Sequence, residues 1–120
     1  MPSLGDLKRI AEIEFSDIVK STHKIDYKLG ISLIDDSFID VYLSRTLPDK
    51  FGFHWETMDS AGTIYRYDNF PDMNWNYLPT YPCHFHNGSQ SSVEASLFPF
   101  EPVSGFRASM DFVKNKVFNQ

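Results

Sequence analysis

The sequence has little cysteine, no long apolar run and no excess of basic residues. Cys83 is the one cysteine among 120 residues, whereas a small secreted domain usually carries paired cysteines. No apolar run approaches the roughly 18 residues that cross a bilayer, and the start lacks the basic-then-apolar order of a signal peptide. These absences predict a cytoplasmic protein without a membrane span.

Basic residues are too few to attract nucleic acid over the whole surface. The formal net charge is -5, from 16 acidic against 11 basic residues. A surface of this sign does not draw in phosphate backbones at long range. Any contact with a nucleic acid must therefore be local.

Aromatic residues are abundant, at 16% of the chain. Their rings favour the pleated, half-buried surfaces of strands, so the composition favours a sheet. A chain of 120 residues has the length of one domain with one modest core. We therefore expect a single α+β domain over residues 1–120.

Two helices are predicted, one near each end of the chain. The three-and-four spacing of apolar residues predicts an amphipathic helix over about residues 4–20, and Ser3 with Asp6 resembles a capping arrangement. A second helix is expected in "SGFRASMDFVKNKVF", with Ser104 as its N-cap. The apolar stripe of the second helix consists of Phe106, Met110, Val113 and Val117.

Between these helices, apolar and polar residues alternate as they do in strands. The alternation runs through "KIDYKLGISLI", "SFIDVYLS", "KFGFHWETM" and "TIYRYD", and further strands are expected near His84–His86 and Ser92–Leu97. No crossover helix separates them, which argues against a parallel sheet. The predicted fold is an antiparallel meander sheet of five to six strands, with the N-terminal and the C-terminal helix packed on one face.

The hairpin around "DSAG" has a predicted register. It places Trp55 opposite Arg66 and His54 opposite Tyr67. Because side chains alternate along a strand, a slip of one residue would exchange the two faces.

Two of the four histidines stand one residue apart in "YPCHFHN". On a strand, His84 and His86 point to the same side while Phe85 points into the core. The two imidazoles could share a metal or a phosphate, exchange protons, or sit on a solvated sheet face. A zinc ion would need further ligands, although no paired-cysteine spacing supports one. The candidates for those ligands are Asp68, Asp72, His54 and Cys83.

The segment "YRYDN" places Arg66 and Asp68 on one strand face, where they are able to pair. In one interpretation this pair is an ordered polar patch stacked over Trp55. In the other, Arg66 binds a phosphate beside a histidine acid–base pair, as RNA cleavage without metal requires. The predicted binding residues around this centre are Asn69, Trp75, Tyr67 and His54.

These motifs resemble the TumE family, small proteins classed as toxins of toxin–antitoxin pairs. The resemblance covers about residues 24–118 in the order of elements. Relatives often carry histidines where this sequence has Asp72, Met73 and Cys83, which leaves Arg66, Asp68, His84 and His86 as the set that the resemblance carries over. The specific matches are Arg66, Tyr67, Asp68, Asn69, Pro71, Thr80, Pro82, His84 and His86.

The resemblance implies a cytoplasmic toxin that a helix-turn-helix antitoxin neutralises. The first hypothesis is a metal-independent nuclease with RNA as substrate, in which Arg66 binds phosphate while His84 and His86 exchange protons. The alternatives are a small metal-binding domain and a non-enzymatic module that docks a protein through the aromatic loop "NFPDMNWNYLPTY" at residues 69–81, whose apolar residues include Phe70, Met73, Trp75 and Tyr77. A homodimer is compatible with each of them, and the cofactor is left open.

Overall fold

The computed structural model describes residues 3–44, 46, 50–70, 73–96, 98–99 and 101–119. These residues form an α+β fold with a helix near each end. The elements in chain order are α1 (Leu4–Glu14), β1 (Val19–Ile25), β2 (Lys28–Leu33), β3 (Phe38–Leu43), β4 (Phe51–Glu56), β5 (Ile64–Asp68), a short 3-10 helix (Met73–Trp75), β6 (His84–Gly88), β7 (Val93–Ala95) and α2 (Pro102–Phe118).

The strands form one antiparallel meander in which each strand pairs with the next, in the order β1 to β7. The predicted meander is confirmed, but the predicted number of five to six strands is too low. The missed strand is β1, because α1 ends at Glu14 rather than near residue 20. Phe15 and Ile18 continue the helical spacing and are buried, yet they lie in the turn that follows α1. The strand itself is mostly exposed and polar, so it gives no alternation signal.

One face of the sheet, the core face, packs against both helices. Leu7 of α1 and Phe106 of α2 are fully buried in one apolar cluster with alternate residues of the strands. The rings of Phe53 and Phe106 lie 6.2 Å apart between centroids, which fixes α2 against β4. This packing confirms the prediction that the helices share one side of the sheet.

The opposite side, the open face, carries neither of the two α-helices of the described residues, and only the short 3-10 helix lies against it. Directly opposed residues of neighbouring strands share a face, so the pairings place all four histidines here. One row across the strands consists of His23, Gly30, Asp40, His54, Arg66 and His86. The adjacent row consists of Lys28, Tyr42, Gly52, Asp68 and His84.

The predicted register of the β4–β5 hairpin is wrong by one residue. His54 lies opposite Arg66, and Trp55 lies opposite Tyr65. The cause is Met58, whose φ of 63° takes it out of the strand and lengthens the loop. Trp55 therefore points into the core, where its Nε1 donates to Ser37 at 2.9 Å, and it does not stack on Arg66.

The helix caps were predicted correctly for α1 and incorrectly for α2. Ser3 and Asp6 form a capping box. In α2 the N-cap is Glu101, whose carboxylate accepts from the backbone amides of Val103 at 3.0 Å and Ser104 at 2.8 Å. Ser104 therefore stands inside the first turn rather than before it.

Three predicted positions, Pro71, Asp72 and Leu97, lie outside the described residues. Neither helix of the described part of the chain combines the length and hydrophobicity that crossing a bilayer requires.

The close packing of α2 can be tested at Gly105. A Cβ atom there would stand 3.0 Å from the carbonyl oxygen of Pro99, which is backbone and cannot move aside easily. We expect Gly105→Ala to lower the free energy of unfolding by about 1 kcal/mol, since overpacking costs roughly 1–3 kcal/mol and the gain in helix propensity returns about 1. Urea unfolding of the two proteins measures the difference.

The matched control is Gly5→Ala in α1, where the nearest atom to an added Cβ is Ser3 Oγ at 3.5 Å, an ordinary contact. This variant should be as stable as the parent or more so. A Gly105→Ala protein as stable as Gly5→Ala would contradict the close approach of α2 to Pro99.

Candidate functional site

Four polar side chains from two neighbouring strands meet on the open face. Arg66 on β5 lies opposite His86 on β6, and Asp68 lies opposite His84. Antiparallel pairing and side-chain alternation together bring both pairs to one spot. They line a cavity of about 510 Å³, the site cavity. Its lining residues are Arg66, Asp68, Phe70, Met73, Trp75, His84, His86 and Gln90.

The carboxylate of Asp68 joins these groups. Its side chain is 3% exposed, with Oδ2 3.2 Å from Arg66 Nε and Oδ1 3.3 Å from His84 Nε2. Oδ1 also accepts from the backbone amide of Phe70 at 3.1 Å. A buried carboxylate needs hydrogen-bond donors or opposite charges in place of water, and both oxygens of Asp68 have such partners.

The guanidinium of Arg66 is held and yet accessible. It contacts Asp68 through Nε, while 39% of its side chain remains exposed. A planar guanidinium fixed along one edge can bind an oxyanion with its remaining donors. Arg66 is therefore suited to receive a phosphate that enters the cavity.

Backbone carbonyls orient both imidazoles. The Nδ1 atom of His84 lies 3.2 Å from the oxygen of Pro82, and that of His86 lies 2.9 Å from the oxygen of Gln90. A carbonyl only accepts, so each Nδ1 carries a proton. When neutral, His86 therefore has its lone pair on Nε2. His84 Nε2 instead faces the Asp68 carboxylate, an ion pair that forms when the ring is protonated at both nitrogens.

The two histidines thus differ in chemistry although they lie close together, with ring centroids 5.1 Å apart. Burial lowers the pKa of His86 from its usual 6.5, because loss of water disfavours the charged ring, and the hydrogen bond to Gln90 opposes this effect. The charges of His84 and Arg66 nearby lower the pKa of His86 further. The neutral form of His86 is accordingly favoured, with a free lone pair on Nε2, whereas Nε2 of His84 faces a carboxylate.

The same residues could hold a metal ion. Asp68, His84 and His86 each offer one ligand atom, and these atoms lie within 4.8 Å of one another. Two imidazoles and one carboxylate form a set that several divalent metals accept. Of the other ligands that the sequence suggested, His54 bonds Glu56 at 2.8 Å on β4, and Asp72 lies outside the described residues.

Two of the predicted binding residues reach this region of the open face. Trp75 forms a wall of the site cavity, with its ring 6.4 Å from that of His86 between centroids. His54 lies beside Arg66 and lines an adjoining hollow rather than the cavity itself.

The other two predicted binding residues are not brought to the cavity. Tyr67 is 1% exposed on the core face, and its hydroxyl donates to the oxygen of Pro99 at 3.1 Å. Asn69 is 2% exposed, and its Oδ1 accepts from the backbone amide of Phe51 at 2.9 Å, which fastens the end of β5 to β4. Neither side chain is placed to touch a ligand beside His86.

Cys83 also faces the core despite its position next to His84. It is 3% exposed, and Tyr67 donates a hydrogen bond to its sulfur at 3.6 Å. Burial raises the pKa of the Cys83 thiol, which favours the unreactive protonated form.

Sequence reasoning missed three residues that complete the cavity. Phe70 and Met73 belong to a loop that was recognised only as apolar, and Gln90 lies in the turn between β6 and β7. Gln90 acts through its backbone carbonyl, so no side-chain pattern could reveal it. For the other two, the apolar residues after Asp68-Asn69 were the available signal.

A family model described as Toxin TumE matches residues 4–117. Neither the curated proteins nor the solved structures yield a match.

The environment of His86 predicts its titration. Because burial holds its folded-state pKa below the usual 6.5, His86 should titrate below that value in a pH series of NMR spectra. Neutral His86 therefore adds to the free energy of unfolding. This stabilisation is complete above the usual histidine pKa of about 6.5 and is lost as the pH falls through the lower pKa of the folded state. A His86 resonance with its midpoint at or above 6.5 would contradict the buried geometry.

Proposed function

The chain belongs to the TumE toxin family, and from this membership we propose that it is the toxin of a toxin–antitoxin pair and cleaves RNA by metal-independent acid–base catalysis. The observation that carries the proposal is the convergence of one guanidinium and two unlike imidazoles on the site cavity of about 510 Å³. Asp68 holds the guanidinium, and backbone carbonyls hold the two imidazoles through Nδ1.

Arg66 binds the phosphate that is to be cleaved. Its guanidinium is fixed by Asp68 and is 39% exposed towards solvent. A cation preorganised beside the phosphorus stabilises the charge that develops on the phosphoryl oxygens in the transition state. Trp75 on the cavity wall offers a ring on which a base next to that phosphate can stack.

His86 is the general base and His84 the general acid. Nε2 of His86 takes the proton of the ribose 2′-hydroxyl, whose oxygen attacks the adjacent phosphorus. The bond from phosphorus to the 5′-oxygen breaks, and Nε2 of His84 gives that oxygen its proton. The products are a 2′,3′-cyclic phosphate and a 5′-hydroxyl, and no external nucleophile is consumed.

RNA rather than DNA follows from this chemistry. The attacking oxygen is the 2′-hydroxyl, which DNA lacks. The net charge of -5 gives no general attraction to nucleic acid, so recognition has to arise inside the site cavity and on the face around it.

The proposal predicts the effect of removing each group. His86→Ala, His84→Ala and Arg66→Ala should each lower the rate of RNA cleavage, with the histidine variants losing about 10²–10⁴-fold, the usual worth of an acid or base. Cleavage should persist with a chelator in excess, and end analysis of the fragments should find cyclic phosphates. The rising limb of the wild-type pH–rate profile should lie below 6.5 and be absent in His86→Ala.

Arg107→Ala is the matched control for Arg66→Ala. Arg107 pairs with Glu14 between α2 and α1 at 2.8 Å, away from the open face, so its loss should leave cleavage unchanged. Thermal unfolding of every variant separates a loss of chemistry from a loss of fold. If wild-type protein leaves varied RNAs intact both with and without divalent metal, the nuclease proposal is wrong.

The ligand atoms of Asp68, His84 and His86 within 4.8 Å support a second candidate, metal-assisted hydrolysis of the phosphodiester. In that case a chelator should abolish cleavage, a divalent ion should restore it, and the ends should be linear phosphates. Asp68→Asn would then lower the affinity for the metal, which calorimetry with the metal alone measures. Chelator-resistant cleavage with cyclic ends would reject this candidate.

An antitoxin partner follows from the family, and we propose a helix-turn-helix protein for that role. The rim of the site cavity offers a surface for it, since Met73 is 71% exposed and Tyr77 is 68% exposed on the loop beside Trp75. Large exposed apolar surfaces often mark sites of protein–protein contact. This surface also supports the non-enzymatic alternative, which loss of cleavage in the histidine variants would reject.

A further inference from the structure

The site cavity continues into two further hollows on the open face. A middle hollow of about 340 Å³ shares Arg66, Asp68 and Phe70 with the site cavity. A far hollow of about 350 Å³ shares Lys28 and Asp40 with the middle one. The three hollows therefore adjoin in sequence across the strands, and together they are called the groove.

Two glycines form the floor of the groove. Gly30 stands between His23 and Asp40 in one row, and Gly52 stands between Tyr42 and Asp68 in the next. Neither position requires glycine for its backbone, because both lie in regular strands and a Cβ at either would make ordinary contacts of 3.4 Å or more. Gly30 lines the far hollow and Gly52 lines the middle one, each beside a ring, so the absence of a side chain at either position makes its hollow deeper.

Aromatic rings follow the groove away from the site cavity. Tyr42 lies 5.5 Å from Phe70 and 5.9 Å from Tyr27 between ring centroids. Phe70 stands where the site cavity meets the middle hollow, and Tyr27 lines the far hollow with 47% of its surface exposed. Rings at such intervals on an open sheet are the platforms on which single-stranded RNA stacks its bases.

The charges of the groove suit a single strand better than a duplex. Lys28 lines the groove and is exposed, and beside the groove the Lys50 ammonium lies 5.9 Å from the centroid of the Phe70 ring. Asp26 and Asp40 stand among these cations, so a continuous phosphate backbone would not be attracted along the whole length. A carboxylate can instead accept from the amino group of an unpaired base, which a duplex would hide.

We infer that the groove binds the single-stranded RNA that flanks the cleaved phosphate, with bases stacked on Phe70, Tyr42 and Tyr27. The row from His86 to His23 crosses six strands, so the groove is about 24 Å long at 4.8 Å between strands. This length holds several nucleotides. The inference rests on the proposed function for the identity of its ligand and adds the substrate class: unpaired RNA, several nucleotides long.

The test uses single-stranded oligonucleotides of increasing length in their 2′-deoxy form, which cannot be cleaved by the proposed chemistry. Fluorescence anisotropy should show affinity rising with length until the groove is filled, and a duplex of the same sequence should bind more weakly. Tyr42→Leu should lower the affinity for the longer oligonucleotides about 5- to 100-fold, in line with one lost stacking contact. Binding of a dinucleotide should not change.

Gly30→Leu fills the groove with a side chain, and Ser32→Leu is its matched control. Ser32 lies on the same strand and the same face, opposite Phe38, and does not line any of the three hollows. Gly30→Leu should lower the affinity for the longer oligonucleotides, whereas Ser32→Leu should leave that affinity unchanged. Thermal unfolding confirms that both variants fold.

The outcomes separate this inference from the proposed function. Suppose that the wild-type protein cleaves no RNA but binds oligonucleotides more tightly as they lengthen, and that Tyr42→Leu and Gly30→Leu weaken this binding. That result would support RNA binding in the groove and reject the nuclease proposal. Cleavage of a dinucleotide as efficiently as of longer RNA, with both variants equal to Ser32→Leu, would reject the groove and leave the nuclease. If the variants lower the affinity for a protein partner and leave the affinity for the oligonucleotides unchanged, the groove is a protein-docking surface and the inference is wrong.

Discussion

The buried carboxylate of Asp68 is the group around which the open face is organised. It is 2% exposed, and a carboxylate in that position is costly unless opposite charges and donors surround it. Arg66 supplies the opposite charge, Nε2 of His84 lies 3.3 Å from Oδ1, and the backbone amide of Phe70 donates to the same oxygen. The Asp68 carboxylate thus positions the guanidinium of Arg66, contacts the imidazole of His84 and holds the backbone at Phe70, which lines the cavity.

Where β5 and β6 meet at Tyr67–Asp68 and His84–Phe85, both faces of the sheet are buried, so a small sheet holds a core on one face and a site on the other. Tyr67 and Phe85 are opposed on the core face, one residue away from the opposed pair Asp68 and His84 on the open face. Alternation gives adjacent residues entirely different environments. The register is consequently the critical variable: a slip of one residue would bury the charges among the helices and expose the tyrosine.

Alternation within a strand was enough to predict that Arg66 and Asp68 share a face, and that His84 and His86 share one. It could not predict which residues lie opposite one another, because that depends on loop geometry. The β4–β5 register was wrong for this reason, since Met58 adopts a left-handed φ of 63° that no pattern of hydrophobicity encodes. The first strand was missed because its exposed polar residues carry no periodic signal. The carbonyl of Gln90 was missed because every residue has one.

The pairing of Arg66 with Asp68 also bears on how the three ligand atoms of Asp68, His84 and His86 are used. A metal ion and an acid–base pair would compete for the same positions, because both need the Nε2 atoms and the carboxylate. A divalent cation bound there would sit close to a guanidinium whose Nε is 3.2 Å from the same carboxylate. Like charges at such short range oppose each other. The guanidinium of Arg66 therefore disfavours a divalent cation at these three ligand atoms and favours an anionic group in the cavity.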